Sequence, residues 1–360
     1  MISAASPHTA TSHEGGRSSP VYLDRQTYRE KVALLCEGIA QRFRRAIHLH
    51  ALFHLSFALV GLIELLLFSF LLPVFVRSSL LAVSLAALFL TCFGYFSLRL
   101  YLAAKKPERI SELKDLYLYA CRNLLGYQEG VPEHHLALAS SATKLASELE
   151  DGEYLFYEPP RLFRAASASL EKLSCFLHWR DVLSFREQLL FAAIDEQIRL
   201  VKCEPTSLEV HAALANTYVM LSGVYLDPRK AEGSSDDRFV PPARSTDEMK
   251  TLFLKAAERA IEEFKILCAY APNDPWVHAQ LAYSYRDLQM PKEEIGEYEI
   301  ILELRPDDHD TRFKLGMRYF QCGLNAKGLQ VYEQLKRVSY KKVDDLIAFY
   351  GAYAPPSFED

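Results

Sequence analysis

Glu64 is the ionisable residue whose position most clearly suggests a chemical role. It lies near the middle of a long apolar run, where a carboxyl group is costly and is therefore a candidate for transport or catalysis. The alternative is a protonated carboxyl that hydrogen-bonds to Ser84 or Thr91 of a neighbouring helix, or to a second copy of the chain. Because neither this run nor the next one contains a basic partner, we favour the hydrogen-bonded carboxyl.

Histidines and cysteines are the next candidates, since both bind metal ions. His50 and His54 lie one helical turn apart, with His48 nearby, but two ligands without a carboxylate or a cysteine make a weak site. The seven cysteines are scattered along the chain at Cys36, Cys92, Cys121, Cys175, Cys203, Cys268 and Cys322. Their spacing predicts no metal site, no redox motif and no disulfide framework, but buried reduced thiols in a reducing compartment.

Clusters of polar residues further along the chain raise the question of an enzyme. Residues 133–135 (Glu-His-His) and 307–310 (Asp-Asp-His-Asp) fall where helices are predicted to begin, which accounts for their polarity. The pairs Glu262–Glu263 and Glu293–Glu294 point in different directions on a helix, as on a solvated face. Because no nucleophile set or phosphate-binding loop is recognisable, we predict no enzymatic activity, no cofactor and no small-molecule substrate.

Two apolar runs set the overall organisation. Residues 51–76 contain one carboxylate and one histidine, and residues 80–98 contain no charge. Each run is long enough to cross a hydrocarbon core of about 30 Å as a helix. Neither has the polar face of a helix in a soluble protein. Residues 49–104 therefore predict a transmembrane helical hairpin that turns at residues 73–79.

Charge beside the hairpin predicts its orientation. The flanking basic residues are Arg42, Arg44 and Arg45 before the first span, and Arg99, Lys105, Lys106 and Arg109 after the second. The turn contains only Arg77. The positive-inside rule therefore predicts a two-span protein of a bacterial inner membrane with both termini in the cytoplasm.

Net charge divides the chain in the same way. Through Pro107 there are eleven Lys/Arg and five Asp/Glu, a net of +6, whereas the rest has thirty and forty-one, a net of −11. Nucleic-acid binding needs clustered basic residues on the globular part, so the acidic body argues against it. A basic stem instead suits the anionic lipid of a bilayer as a partner.

The first 48 residues form two parts. Residues 1–20 are rich in Ser, Thr, His, Gly and Pro and are predicted to be disordered. Residues 21–48 have an apolar side made of Val32, Leu35, Ile39 and Phe43. We expect this amphipathic helix to lie along the cytoplasmic surface of the membrane.

The Ser/Thr-rich start and the hairpin are also similar in layout to chlamydial inclusion-membrane proteins. This resemblance implies an alternative function as a type III secreted effector in a host vacuole membrane.

The remainder of the chain is predicted to be helical, so the fold class is all-α. The predicted helices are Glu108–Leu125, Pro132–Glu150, Arg161–His178, Asp181–Lys202, Thr206–Ser222, Glu248–Tyr270, Asp274–Leu288, Lys292–Glu303, His309–Cys322, Ala326–Val338 and Val343–Tyr350. Residues 105–205 form a helical region with degenerate repeats. Residues 206–360 contain clearer repeats, interrupted by a polar, Pro-rich insertion at 223–247 that we expect to be a mobile loop.

A unit of 34 residues, 275–308, repeats in both directions along the chain. The recurring positions are Leu281, Ala282, Tyr285, Tyr298 and Pro306, then Leu315, Gly316, Tyr319, Gly328 and Tyr332, and before them Ala260, Phe264 and Pro272. This pattern resembles tetratricopeptide repeats (TPRs) over Thr206–Val338. The resemblance implies a right-handed α-solenoid of helical hairpins that binds proteins or peptides. Glu294 departs from it, because a small residue is usual there, and we expect a looser hairpin.

The resemblance also implies a concave groove lined by the first helix of each hairpin. The candidate groove residues are Asn216, Met220, Trp276, Tyr283, Asp287, Phe313 and Met317. Trp276 and Tyr283 are the predicted anchors, since aromatic residues dominate interface energetics, with packing between hairpins as the alternative. Ala212 stands where the clamp for chaperone C-termini needs a lysine, which argues against that partner. The function predicted is a membrane-anchored scaffold or adaptor for another protein.

Overall fold

The protein is described by a computed structural model that covers residues 25–75, 80–157, 167–227, 229 and 239–351. The predicted disordered segment 1–20 and the centre of the hairpin turn lie outside these residues. The helices are α1 (Arg25–Phe75), α2 (Leu80–Leu125), α3 (Pro132–Glu148), α4 (Ser167–Cys203), α5 (Leu208–Tyr225), α6 (Asp247–Tyr270), α7 (Pro275–Asp287), α8 (Pro291–Leu304), α9 (His309–Gln321), α10 (Asn325–Arg337) and α11 (Val343–Ile347). Single 3-10 turns occupy Gly152–Tyr154 and Pro242–Arg244. Across the described residues the fold is all-helical, as predicted.

Helices α1 and α2 are long and apolar enough to cross a membrane. They contain 51 and 46 residues, and they pack against each other as an antiparallel pair. No residue of the most hydrophobic window of either helix is buried, whereas the core helix of a soluble protein would be mostly covered. Many large apolar side chains of this hairpin are therefore exposed.

The N-terminal part of α1 differs from the prediction. Its apolar side is buried at Tyr28, Val32, Cys36, Ile39, Phe43 and Ile47. The ring of Phe43 lies 4.8 Å from that of Phe185 in α4, and the hydroxyl of Tyr28 lies 2.9 Å from that of Ser141 in α3. The expectation that this side lies on the membrane surface is wrong, because α2, α3 and α4 cover it. We call α1–α4 outside the apolar hairpin the membrane-proximal bundle.

Two predicted helix boundaries are absent. Helix α2 runs through Pro107, although we expected the membrane segment to end near it. A proline removes one backbone hydrogen bond, here to the carbonyl of Ala103, and the helix persists where packing on both sides stabilises it. Helix α4 likewise runs through residues 178–181 as one helix of 37 residues. The polar residues there do not end the helix, because His178 and Asp181 are buried side chains within it.

Helices α5–α10, which we call the repeat region, pack in chain order, each against the next. The predicted repeat positions are buried at Ala260, Phe264, Leu281, Ala282, Tyr285, Tyr298, Leu315, Gly316 and Tyr319. Tyr332 is partly buried, and Pro272 and Pro306 are exposed in the turns. The small residue at Gly316 has a direct steric reason, since a Cβ atom there would lie 2.8 Å from Val331 Cγ1.

The insertion at 223–247 is held at both ends. Helix α5 continues to Tyr225, three residues beyond its predicted end at Ser222. Arg244 Nη1 lies 2.7 Å from Glu153 Oε1, and the hydroxyl of Tyr154 donates to the carbonyl of Phe239 at 3.0 Å. These polar contacts tie the described C-terminal part of the insertion to the membrane-proximal bundle, and the mobility of the loop stays a prediction. Residue 228 and residues 230–238 lie outside the description.

Candidate functional site

The predicted groove anchors lie on α7. The indole of Trp276 is 42 % exposed and meets the ring of Phe264 edge-on at 6.3 Å. Tyr283 is half-buried, and its hydroxyl accepts a hydrogen bond from Lys314 Nζ of α9 at 2.9 Å. Asp287 is exposed at the end of the helix. Trp276 therefore both packs between helices and remains accessible, whereas Tyr283 is covered by a cation.

The other groove candidates are distributed over α5 and α9. Phe313 and Met317 are partly buried in the C-terminal core, where the ring of Phe313 lies 5.9 Å from that of Tyr340. On α5, Asn216 is exposed and Met220 packs on the large N-terminal core. The Lys314–Tyr283 bond thus brings α7 and α9 together, and among the described contacts none joins Asn216 or Met220 to them.

A repeated histidine contact, which sequence reasoning missed, holds the repeat region together. His278 Nδ1 lies 2.6 Å from Glu297 Oε2 of α8, and its Nε2 lies 2.9 Å from the carbonyl of Pro272. His211 repeats this arrangement with Glu263 at 2.7 Å and with the carbonyl of Pro205 at 3.1 Å. We call these two arrangements the histidine locks. Each joins the start of one hairpin to the turn before it and to the helix that follows.

The locks favour the protonated imidazole. A carbonyl and a carboxylate both accept hydrogen bonds, so a histidine between them donates from both ring nitrogens only as the cation. Burial by itself lowers the pKa of His211 and of His278. The hydrogen bonds to Glu263 and Glu297, the proline carbonyls and the attraction of the carboxylates outweigh burial and raise both pKa values above the ordinary value.

The next hairpin replaces the histidine with an arginine. Arg312 donates to the carbonyl of Pro306, the turn residue equivalent to Pro272. The signal for the locks was present in the sequence, since His211 and His278 share the 67-residue spacing of Pro205 and Pro272. The carboxylate partners could not be assigned from this spacing, because they come from a different helix.

Glu294 fills its hairpin rather than loosening it. The side chain is 3 % exposed, and Arg318 of α9 donates to it from Nε at 2.6 Å and also from Nη2. Burial raises the pKa of Glu294, and Arg318 opposes that rise. The expectation of a solvated face at Glu293–Glu294 is therefore wrong for Glu294, as it is for Glu263, which accepts from His211.

A polar cluster in the membrane-proximal bundle also departs from the prediction. His135, expected to be solvated at a helix start, is buried with its Nδ1 2.7 Å from Glu196 Oε2 of α4. The backbone N–H of Gly130 donates to His135 Nε2 at 3.3 Å, so Nδ1 carries the proton toward Glu196. Arg122 Nη2 contacts the other oxygen of Glu196 at 3.0 Å. Asp308, by contrast, caps α9 as predicted by accepting from the backbone of Thr311.

Cys268, His278 and Glu297 form a cluster with metal-ligand chemistry, their candidate ligand atoms all within 4.8 Å of one another. Two ligands on one zinc ion stand about 3.3 Å apart given bond lengths near 2.0–2.2 Å. The His278–Glu297 separation of 2.6 Å is a hydrogen bond instead. Burial raises the pKa of Cys268 to about 11, which keeps its thiol protonated. The cluster is best explained as a histidine lock beside a partly buried thiol.

Glu64 has the local partner that we expected. Thr91 of α2 donates to Glu64 Oε1 at 2.8 Å, and this hydrogen bond links the two apolar helices. The hydroxyl of Ser84 donates to the carbonyl of Leu81 instead. His48, His50 and His54 do not converge on a metal-like centre but line a large cavity at the base of the hairpin, which we call the juxtamembrane cavity.

Comparison with known proteins identifies no family and no relative for this chain. No protein-family model matches the sequence, and no curated protein is significantly similar to it. Function must therefore be inferred from the chain's own residues and contacts.

Proposed function

We propose that the chain is a membrane-anchored interaction protein. The apolar hairpin spans a bacterial inner membrane twice, both termini lie in the cytoplasm, and the repeat region is a TPR-like solenoid that binds another protein or peptide. The proposal assigns no catalytic chemistry to the chain. The observation that carries it is the continuity of α1 and α2 from exposed apolar helices into a buried helical bundle.

The exposed apolar helices support the membrane part of the proposal. An apolar surface of this size on a soluble monomer would favour aggregation, whereas lipid covers it without cost. Because α1 and α2 extend into the membrane-proximal bundle, the bundle must stand directly on the membrane. The seven basic residues that flank the hairpin support the cytoplasmic side for the bundle.

The face of α7 supports the binding part. Trp276 presents an accessible indole that is already fixed at one edge by Phe264, so binding would order few further rotamers. Asp287 places a negative charge on the same face, and Lys314, which donates to Tyr283, places a positive charge there. A peptide with apolar and charged side chains fits such a surface.

Site-specific photocrosslinking in native membranes tests the binding face. We expect a photoreactive residue at Trp276 or Asp287 to capture one discrete partner band. The matched control is Arg337, whose side chain is 80 % exposed on α10, and it should not capture that band.

The variant Trp276→Ala should weaken capture at Asp287 by about tenfold, if the indole contributes as buried interface aromatics do. Equal capture at Arg337, or unchanged capture in Trp276→Ala, would remove the α7 face as the binding surface.

A further inference from the structure

The juxtamembrane cavity lies where the apolar hairpin meets the membrane-proximal bundle. Its volume is about 1110 Å³, and its walls come from α1, α2 and α4, with Tyr157 at one side. Small-molecule pockets usually measure about 300–1,000 Å³, so this one has room for more than a small anion. If the hairpin spans the membrane as proposed, the cavity lies at the level of the lipid headgroups.

The cavity is positively charged. Arg45 of α1 and Arg99 and Lys106 of α2 line it, and no lining residue in the described chain is acidic. Lys106 is neutralised by Asp181, whose Oδ2 lies 2.6 Å from its Nζ. Arg45 and Arg99 form no ion pair with any described carboxylate. Two guanidinium groups that pair with no carboxylate in the described part of the chain favour an anion that accepts paired hydrogen bonds, such as a phosphate.

Histidines add further hydrogen-bond donors on the same wall. His178 is buried, and its Nε2 lies 2.8 Å from the hydroxyl of Tyr157. The ring of His48 lies edge-on to Tyr157 at 5.9 Å, and His50 and His54 follow on α1. A cation-rich wall with several N–H donors suits a ligand that carries several oxygen atoms.

Most of the remaining lining is apolar. The leucines that contribute are Leu49, Leu52, Leu55, Leu102, Leu173 and Leu177. Leu52 and Leu55 are 60 % and 67 % exposed, and they continue the surface of the first apolar helix. A free inorganic anion would leave these side chains in contact with water, whereas an acyl chain would cover them. The ligand must therefore be both anionic and amphiphilic.

We propose that the juxtamembrane cavity is a binding site for an anionic membrane phospholipid. Its phosphate contacts Arg45 and Arg99, and one acyl chain lies along the leucines toward the hairpin. This inference rests on the proposed membrane placement and adds a specific ligand to it. A lipid headgroup and free phosphate share the anionic chemistry, but only the lipid also uses the apolar wall.

The test is a lipid titration of the full chain in mild detergent, followed by native mass spectrometry. Phosphatidylglycerol and phosphatidylcholine with identical acyl chains are compared, and inorganic phosphate is added as a competitor. Both lipids carry the phosphate, but the choline cation of phosphatidylcholine is repelled by Arg45 and Arg99, so we expect phosphatidylglycerol to bind about tenfold more tightly. Inorganic phosphate should not displace it.

The double variant Arg45→Gln, Arg99→Gln should reduce the affinity for phosphatidylglycerol to that for phosphatidylcholine. The matched control is Arg42→Gln, Arg44→Gln, which removes two exposed arginines of the same helix outside the cavity and should leave affinity unchanged. A second variant, Ala103→Trp, fills the cavity without changing its charge and should weaken both lipids.

Equal affinity for the two lipids, or full binding by a folded Arg45→Gln, Arg99→Gln variant, would overturn the proposal. Full displacement by phosphate would overturn the lipid as ligand and leave a simple anion site. Membrane insertion is scored separately by alkaline extraction of the same variants. Extraction of the unsubstituted chain from the membrane would refute the proposed membrane placement, while the detergent titration still reports on the cavity.

Discussion

The membrane-proximal bundle and the repeat region both join their helices through buried polar contacts, but the contacts differ in kind. The bundle is built from α4, the shorter α3 and the parts of α1 and α2 outside the hairpin, and it buries polar contacts that each occur once. The repeat region uses helices of 13–24 residues and buries a histidine lock that occurs twice. A repeated unit can be joined by a repeated contact, whereas long helices that also leave the body for the hairpin need individual contacts.

The contacts of the bundle illustrate the first solution. The hydroxyl of Tyr117 on α2 donates to the carbonyl of Ser141 on α3 at 2.8 Å and lies 3.2 Å from Cys36 Sγ on α1. Burial raises the pKa of Cys121 to about 11, so this thiol stays neutral. One small polar network thus joins three helices. This network is uncharged, and the charged pairs of the bundle, such as Arg122–Glu196 and Lys106–Asp181, each occur once, whereas the charged lock of the repeat region recurs.

The largest expected effect is at the junction of the two regions. Arg244→Met leaves Glu153 buried without its partner, and such an uncompensated charge costs about 3–5 kcal/mol. Urea unfolding of the detergent-solubilised chain, followed by circular dichroism, measures the loss. The double variant Glu153→Gln, Arg244→Met removes both charges and should recover most of it. If Arg244→Met costs no more than the double variant, the two regions are not coupled through this pair.

An intermediate effect is expected within the repeat region. A Cβ atom on Gly328 would lie 2.5 Å from Phe320 Cε1, so Gly328→Ala should overpack the hairpin and cost about 1–3 kcal/mol. Amide hydrogen exchange in α9 and α10 measures this loss of local stability. The control Gly296→Ala in α8 meets nothing within 4 Å and should stabilise by up to about 1 kcal/mol. Equal effects of the two substitutions would argue against close packing at Gly328.

The smallest effect concerns the pH dependence of the repeat region. Folding raises the pKa of His211 and of His278 above the ordinary histidine value of about 6.5, so the locks stabilise the fold fully below that pH. This contribution is lost as pH rises through the raised pKa. The double variant His211→Gln, His278→Gln should lose about 1 kcal/mol per lock at low pH and less at high pH.

The melting temperature measured across that pH range checks this difference. The variant Gly296→Ala, which changes no titratable group, serves as the control and should keep the wild-type slope. A wild-type melting temperature that rises with pH over this interval would contradict the protonated locks.

The parts that the sequence predicts are those with a local or periodic signal. The apolar runs predict two exposed helices, and the 34-residue spacing predicts which residues are buried, from Phe264 to Tyr319. The expected partner of Glu64 is confirmed at Thr91, because two antiparallel helices joined by a short turn leave few alternatives.

What the sequence could not predict depends on distant partners. The apolar side of residues 28–47 is compatible with lipid or protein, and only the positions of α2, α3 and α4 decide between them. Pro107 is a usual helix boundary, and it lies inside α2 because packing outweighs one missing hydrogen bond. The juxtamembrane cavity combines three helices that are far apart along the chain, so no spacing could have indicated it.

The central claim is that the apolar hairpin of α1 and α2 holds the molecule in a membrane. Alkaline carbonate extraction of membranes that contain the full chain tests it most directly. The account predicts that the chain remains in the membrane pellet, and that detergent releases it. Recovery of the chain in the supernatant after carbonate treatment without detergent would contradict the claim.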